Sequence, residues 1–185
     1  MQTRIAILVG VLILILGVAP ASAQRLRTPV PGMLAAGASI GADIPSDPSL
    51  DNGLDIAGTI EGYLSSRVSV RAQVGAAWWD VVGQRFSGTV KPFYVTGNVV
   101  YNWEGGAIHP YVTGGIGMYR FRLSGLDGSD SKAGFNVGGL EYFFTPRATF
   151  TGEALYHKVD GFGTPLGAFG DGSFWRIAMG MKAYF

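Results

Sequence analysis

The sequence predicts an all-β protein, in which a cleavable signal peptide precedes one eight-stranded, antiparallel, up-and-down transmembrane β-barrel. Three observations support this prediction. The N-terminus carries an apolar stretch followed by a small-residue cleavage pattern, and from Met33 onward apolar residues recur at every second position. Charged residues make up only 15% of the chain, whereas soluble domains usually contain roughly 25%.

The first 23 residues are interpreted as a signal peptide. Arg4 precedes an apolar run over residues 5–19, and Ala21-Ser22-Ala23 forms an A-x-A cleavage pattern before Gln24. The alternative is an uncleaved anchor helix, but the run is shorter than the roughly 20 residues that a spanning helix needs. We therefore expect removal of residues 1–23, a short periplasmic segment over 24–32, and a barrel over 33–185.

The composition excludes several classes of function. Lys and Arg number 14 against 13 Asp and Glu, so there is no basic excess for a nucleic-acid partner. The chain contains no cysteine, which excludes disulfides, thiolate metal sites and a cysteine nucleophile. Asp43, Asp47 and Asp51 do not match a calcium loop. We expect no cofactor and no metal site.

Eight segments carry the period-two pattern, which is typical of strands with one face in an apolar medium. They cover residues 34–44, 54–64, 67–78, 93–103, 108–119, 132–144, 148–157 and 175–185. Each is close to the roughly 9 to 11 residues with which a tilted strand crosses the hydrocarbon. In the sixth segment the apolar positions change parity at Gly138-Gly139. A bulge there would restore one apolar face and turn Glu141 inward.

The connections between segments alternate between short and long. Short ones lie near residues 65–66, 104–106 and 145–146, and long ones lie near 45–53, 80–89, 123–131 and 160–173. Membrane barrels have short periplasmic turns and longer outer loops. With the mature N-terminus in the periplasm, every connection has the expected length for its side.

The polar face distinguishes a membrane barrel from a soluble β-sandwich, which would show many charged residues toward water. Here Gly, Ala, Ser, Thr, Asn and Tyr dominate that face, and such residues suit the narrow interior of an eight-stranded barrel. Trp78, Tyr101, Trp103, Phe143 and Trp175 lie near predicted strand ends. We expect them to form aromatic girdles at the two membrane interfaces.

A few charged residues fall on the predicted interior face: Glu61, Arg71, Glu153, Arg176 and Lys182. Glu61 and Arg71 flank the turn at 65–66, and Glu153 faces the lumen near Arg176 and Lys182 on the last strand. Because buried charges must be paired, we expect an internal salt-bridge network. Its simplest role is to fill and fasten the core. Its functional alternative is a gate that opens a narrow path when the pairs exchange.

Several pieces of sequence resemble the small OmpA-like and OmpX-like outer-membrane barrel superfamily, which includes porin-family and opacity-type proteins. They are Pro110-Tyr111-Val112-Thr113-Gly114-Gly115-Ile116-Gly117, Leu140-Glu141-Tyr142-Phe143 with Thr145-Pro146-Arg147, and the final Met179-Gly180-Met181-Lys182-Ala183-Tyr184-Phe185. The resemblance implies that Tyr184 and Phe185 form a signal for the barrel-assembly machinery. It also implies periplasmic chaperones as partners during biogenesis, and contact with outer-membrane lipids and lipopolysaccharide.

Some eight-stranded outer-membrane proteins are lipid A deacylases, whose His and Ser lie two residues apart on the lipid-facing surface. His109 is followed by Pro110 and Tyr111, and His157 by Lys158 and Val159, so this pair is absent from the sequence. We therefore expect no catalytic residues and no enzymatic activity.

The expected function is that of a monomeric, non-enzymatic barrel in the outer membrane, with a structural, envelope-integrity or surface-interaction role. A narrow channel for small solutes or ions is the first alternative, disfavoured because eight strands leave a lumen filled with side chains. A lipid A-modifying enzyme is the second. Charged residues in and beside the long loops, including Lys91, Arg120 and Arg122, are interpreted as a solvated surface or as contacts to lipopolysaccharide phosphates.

Overall fold

The computed structural model describes residues 29–82, 88–103, 108–124, 130–137, 140–145, 147–161, 163–164, 167–168 and 170–185. The predicted signal peptide lies outside these residues. The strands are β1 (Leu34–Pro45), β2 (Gly53–Tyr63), β3 (Val68–Asp80), β4 (Thr89–Asn102), β5 (Ile108–Leu123), β6 (Asp130–Val137), β7 (Leu140–Thr145), β8 (Ala148–Val159), β9 (Gly163–Thr164), β10 (Gly167–Ala168) and β11 (Phe174–Tyr184). No helix among the described residues is long and apolar enough to cross a membrane.

The strands close into a barrel with eight positions around its circumference. Each strand pairs with its neighbours in an antiparallel, up-and-down order, and β11 pairs with both β8 and β1. The segments β6 and β7 together occupy the sixth position, between β5 and β8. The short β9 and β10 form a separate hairpin between β8 and β11. Closure leaves no unpaired sheet edge to face lipid.

The sixth position changes register between Val137 and Leu140, where the sequence predicts a bulge. Val137 pairs with Gly114 of β5, whereas Leu140 pairs with Pro110. Between these pairs β5 contains three residues and the sixth segment two, and the register against β8 changes in the same way. The change is opposite in sense to the predicted bulge, because a bulge adds a residue to its own strand. Residues 138–139 and the side chain of Glu141 lie outside the described part of the structure.

Side chains alternate between the lumen and the outside along each described strand. In β4, for example, Tyr94, Thr96 and Asn98 are buried, whereas Phe93 and Val95 are exposed. The exposed apolar set includes Ile40, Ile56, Ile60, Val74, Val99, Ile116, Met118, Phe150, Ile177, Met179 and Met181. Exposure of so many large apolar side chains is expected only where lipid surrounds the sheet.

The two ends of the barrel differ. The outer end carries the longer connections around residues 46–52, 81–88, 124–129 and 160–173, and the inner end carries the shorter ones around 64–67, 103–107 and 146–147. Two strands are clearly longer than predicted. β4 begins at Thr89 rather than at residue 93, and β5 continues to Leu123 rather than to residue 119. Basic residues beside the loops, among them Lys91 and Arg122, consequently lie on strands.

Candidate functional site: the lumen of the barrel

The lumen is filled at three levels. Near the inner end, Tyr63 and Tyr184 pack against each other with Ala35 and Met33. The middle level, here called the ionic layer, consists of Asp55, Glu61, Arg71, Glu153, Arg176 and Lys182, all buried. Toward the outer end lies an aromatic layer of Trp79, Tyr94, Tyr119, Phe121, His157 and Phe174.

Glu61 on β2 is held by residues from two other strands, β3 and β11. It stands directly opposite Arg71 in the β2–β3 register, and the Arg71 Nε donates to its Oε2 at 3.0 Å. The Lys182 Nζ on β11 donates to the same oxygen at 2.8 Å, and the Ser69 hydroxyl donates to Oε1. Glu61 thus contacts two cations, and Arg71 has a second carboxylate partner in Glu153, so that no charge of this group lacks a counterion.

Glu153 accepts hydrogen bonds from the guanidinium groups of both Arg71 and Arg176. Its Oε1 accepts from the Arg71 Nη1 at 2.6 Å, and its Oε2 accepts from the Arg176 Nη1 at 3.1 Å. The Tyr111 hydroxyl also donates to Oε1. Because these bonds are charge-assisted and buried, they are stronger than neutral ones.

Arg176 extends the ionic layer toward the outer end. Its Nε donates to the Asp55 carboxylate and its Nη2 donates to the Ser39 hydroxyl at 2.6 Å. Asp55 also accepts from the Tyr94 hydroxyl at 2.9 Å. This last bond joins the ionic layer to the aromatic layer.

The structure brings together the five charged residues singled out in the sequence, with two differences. Lys182 contacts Glu61 across β1, whereas the sequence predicts a position near Glu153. Asp55 belongs to the ionic layer but was not singled out, although the alternation of β2 places it on the same face as Glu61. That shared parity is the signal that could have identified it.

Asp43 lies near the outer end of β1, within the predicted segment 34–44, and is fully buried. Its Oδ2 accepts a hydrogen bond from the Trp79 Nε1 at 3.1 Å. The strand continues because Asp43 pairs with Arg176 of β11 on one side and with Gly53 of β2 on the other.

The aromatic layer closes the lumen above the ionic layer. His157 stacks on Phe174, with ring centroids 4.5 Å apart and planes inclined by 3°. The Tyr119 hydroxyl lies 2.8 Å from the His157 Nδ1, and Tyr119 also stacks on Tyr94. Trp79 packs edge-on against Phe174 at 5.1 Å. Among the described residues, these packed rings extend across the lumen at this level.

A family model described as "Outer membrane protein beta-barrel domain" matches residues 9–182. The chain belongs to this family. Its place is therefore the outer membrane, where lipid covers the exposed apolar face. Comparison with curated protein sequences finds no match.

Solved structures show the same fold at low sequence identity. Neisserial surface protein A superposes with a TM-score of 0.60 at 15% identity, covering 83% of this chain and 96% of that one. OprG from Pseudomonas aeruginosa gives 0.65 at 15% identity, covering 84% and 97%. The attachment invasion locus protein Ail of Yersinia pestis, in complex with the heparin analogue sucrose octasulfate, gives 0.57 at 17% identity, covering 84% and 100%.

Aromatic side chains of this outer-membrane barrel mark the two interfaces. Trp78 and Trp175 are exposed near the outer end, and Tyr101 and Trp103 near the inner end. Tyr156 packs against Trp175 at 5.1 Å, and Tyr101 against Trp103 at 5.1 Å. The predicted girdle residue Phe143 has a side chain outside the described part of the structure.

Both histidines lie inside the barrel. His157 belongs to the aromatic layer, and His109 is buried near the inner end. Among the described residues, no group of three or more His, Asp or Glu side chains is placed to hold a metal ion. In the ionic layer, three carboxylates and three cations contact one another.

Proposed function

We propose that this protein is a non-enzymatic, non-conducting barrel that acts through its outer end, in an envelope-integrity or surface-interaction role. The observation that carries the proposal is the double obstruction of the lumen. The Arg71–Glu153 pair crosses the ionic layer, and the aromatic layer lies above it. The protein would then act through the surfaces that face the outside of the cell and the membrane.

The outer end is built as an ordered support for its loops. The Asp47 carboxylate accepts hydrogen bonds from the Ser49 and Gly170 backbone N–H groups, each at 2.8 Å. The Ser46 N–H donates to the Ser173 carbonyl at 2.8 Å, and the Val82 N–H donates to the Ser49 carbonyl at 2.8 Å. These contacts join three of the outer connections, which favours a defined binding surface.

The similarity to Ail supports the surface-interaction role, because that barrel was solved with a heparin analogue. A first test measures retention of cells producing the protein on heparin-coated and albumin-coated surfaces. We expect heparin-dependent retention, reduced by Asp47→Ala and unaffected by Asp51→Ala, whose carboxylate accepts only from the neighbouring Asn52 N–H in the described structure. Equal retention of producing and non-producing cells would refute the adhesive role.

A second test measures ionic current through the folded protein in planar bilayers. We expect no step currents above the lipid baseline, because the lumen is obstructed at two levels. Reproducible open-channel steps for the wild-type protein would overturn the non-conducting assignment.

One observation favours a narrow channel as the second candidate. Buried side-chain atoms of Gln73, Asn98, Asn102 and Asn136 find no hydrogen-bond partner in the described structure. They lie on the wall formed by β3, β4 and β6, beside the ionic layer. A polar wall of this kind is suited to contact with water. Exchange of ion pairs beside it would act as a gate.

Glu153→Gln discriminates between the two candidates. The substitution removes the charge that couples Arg71 to Arg176, so a gate would open and produce current in the variant. Current that is absent from both wild type and variant supports the obstructed barrel, whereas current in the variant alone supports the gated channel.

Export and assembly form part of the same proposal. We infer that residues 1–23 are removed, so that the mature N-terminus is Gln24, and that the barrel-assembly machinery recognises Tyr184 and Phe185. Sequencing the N-terminus of the protein recovered from outer membranes tests the first inference. A mature N-terminus at Met1 would overturn it.

A further inference from the structure

Two glycines on the lumen face leave space where the first and last strands of the barrel meet. Gly37 of β1 and Gly180 of β11 are diagonal neighbours in the β1–β11 register. An added Cβ at Gly37 would lie 3.0 Å from the Thr59 hydroxyl oxygen. One at Gly180 would lie 2.9 Å from the Thr151 hydroxyl oxygen. Because glycine has no side chain, the two threonine hydroxyls face open space instead of a packed neighbour.

A small cavity lies beside these glycines. It is lined by six polar side chains, those of Ser39, Thr59, Arg71, Thr151, Glu153 and Lys182. The centre of a water-sized sphere can move through about 10 Å³ of this cavity. One water molecule needs roughly 10 to 15 Å³ by this measure, together with about two to four polar partners. The cavity therefore has the size and the polarity of a site for one small polar molecule.

The burial of the lining residues agrees with the position of the cavity. Ser39, Thr59 and Thr151 point into the lumen but are only partly buried. Glu61 and Glu153, each two positions further along the strand from one of these threonines, are buried. The remaining accessible surface of the three hydroxyl residues lies inside the barrel, so it borders internal space.

The groups around the cavity retain unused hydrogen-bonding capacity. Within the described structure, the hydroxyls of Thr59 and Thr151 form no hydrogen bond to another residue. The Ser39 hydroxyl accepts from the Arg176 Nη2 at 2.6 Å, so its own proton stays available. The Arg71 Nη2 is buried without a partner among the described residues. A hydroxyl provides one donor and two acceptor sites, so the cavity offers both donors and acceptors.

The charges of the ionic layer favour a neutral occupant. Its three carboxylates and three cations contact one another. Both oxygens of Glu153, the one acid that lines the cavity, already accept hydrogen bonds from arginine. An added ion would therefore enter a group of charges that is already balanced. Burying an unpaired charge costs far more than burying a neutral group that is hydrogen-bonded.

We propose that this cavity is a binding site for one water molecule. The water oxygen would accept from the Arg71 Nη2 and the Ser39 hydroxyl, and its two protons would be donated to the hydroxyl oxygens of Thr59 and Thr151. The water would complete the hydrogen bonding of Arg71, whose pair with Glu153 obstructs the lumen. This assignment goes beyond the proposed function, because it concerns a ligand inside the barrel and does not depend on what the outer end binds.

The test is a crystal structure of the folded protein, at a resolution that shows ordered water, from crystals grown with sodium bromide. Bromide gives an anomalous signal where a halide binds, whereas water gives none. The variant combines Thr59→Val with Thr151→Val, which keeps the shape of both side chains and removes both hydroxyls. Heat-dependent gel mobility verifies that each protein is folded.

The control is Thr113→Val on β5. Thr113 is also buried in the lumen, but its hydroxyl donates to the Val99 carbonyl at 3.3 Å and it does not line the cavity. This change removes a lumen hydroxyl without touching the proposed site.

We expect wild type and Thr113→Val to show one density peak in the cavity, without anomalous signal. Its distance from the Thr59 and Thr151 hydroxyl oxygens should be about 2.5 to 3.0 Å, the range of O–H···O hydrogen bonds. The double variant should lose the peak, because two of the four partners are absent. If the double variant does not fold, Thr151→Val alone should lower the peak.

Three outcomes would overturn the proposal. An anomalous peak in the cavity would identify a halide site. A direct hydrogen bond between the Thr59 and Thr151 hydroxyls, with no density beside them, would show that the cavity binds nothing. A peak of unchanged height in the folded variant would show that these hydroxyls do not hold the water.

Discussion

Arg71 on β3 and Glu153 on β8 meet at 2.6 Å although their strands lie on opposite walls of the barrel. In the closed order of strands, β3 and β8 are separated by the same number of strands in either direction. The pair therefore spans the diameter of the lumen. Its partners Glu61 and Arg176 extend the contact to β2 and β11.

Glu153→Gln should lower the stability of the folded barrel strongly. The change leaves Arg71 and Arg176 buried with one carboxylate fewer between them, and breaking a buried ion pair in this way costs about 3–5 kcal/mol. Urea-induced unfolding in detergent, followed by Trp fluorescence, measures the loss.

Asp171→Asn provides the control for this prediction. Asp171 forms a half-exposed pair with Lys158 at 3.8 Å, and exposed pairs contribute only about 0–1 kcal/mol. Similar losses for the two variants would show that burial in the lumen does not strengthen the ionic layer.

Gly75→Ala should destabilise the barrel by about 1–3 kcal/mol, the usual cost of overpacking. Gly75 stands opposite Tyr94 on the lumen face, and an added Cβ would overlap the Tyr94 ring. Gly97→Ala is the matched control, because a Cβ there meets nothing within 4 Å. A thermal shift in gel mobility compares the two, and equal midpoints would contradict the packing of Tyr94.

Ile116→Lys tests the assignment of the apolar face to lipid. Ile116 lies midway along β5 and is 76% exposed. A lysine near the bilayer midplane costs about 2–4 kcal/mol, whereas one near the interface costs about 0–1 kcal/mol. Folding equilibria in lipid vesicles should therefore separate Ile116→Lys from the rim control Val82→Lys. If Ile116→Lys left the folding free energy unchanged, lipid would not cover this face.

Phe185→Ala tests the proposed assembly signal. Leu34 and Phe185 exchange backbone hydrogen bonds of 3.0 and 2.9 Å, and the Phe185 side chain is exposed. The backbone contacts survive the substitution, so refolding of the purified protein in detergent should be unchanged. The amount of folded protein in outer membranes should fall several-fold, as measured by immunoblotting of heated and unheated membranes. If the amount of folded protein in outer membranes were unchanged, Phe185 would not be part of the assembly signal.

Period-two alternation was sufficient to predict the eight barrel strands and the buried face of those described, but not the register change between β6 and β7 or the full lengths of β4 and β5. Alternation is local, because it depends only on which side of one strand a residue occupies. Pairing across the lumen depends on closure of all the strands, so the contact of Lys182 with Glu61 could not be obtained from either segment alone.

The partner of Asp43 also lay outside what the pattern could predict. Asp43 falls within the first predicted segment, but its buried carboxylate accepts from the Trp79 side chain of β3. That contact depends on the arrangement of neighbouring strands.

The seam between β1 and β11 has a consequence for how the barrel forms. β11 brings Arg176 and Lys182, whereas their acidic partners Asp55 and Glu61 belong to β2, on the far side of β1. Until β11 docks on β1, the Asp55–Arg176 and Glu61–Lys182 pairs cannot form, and Asp55 and Lys182 stay hydrated on opposite margins of an open sheet, whereas Glu61 and Arg176 already have Arg71 and Glu153 on neighbouring strands. Docking of β11 on β1 and the final neutralisation of the charges in the lumen therefore occur together. A half-closed barrel is consequently an unfavourable state.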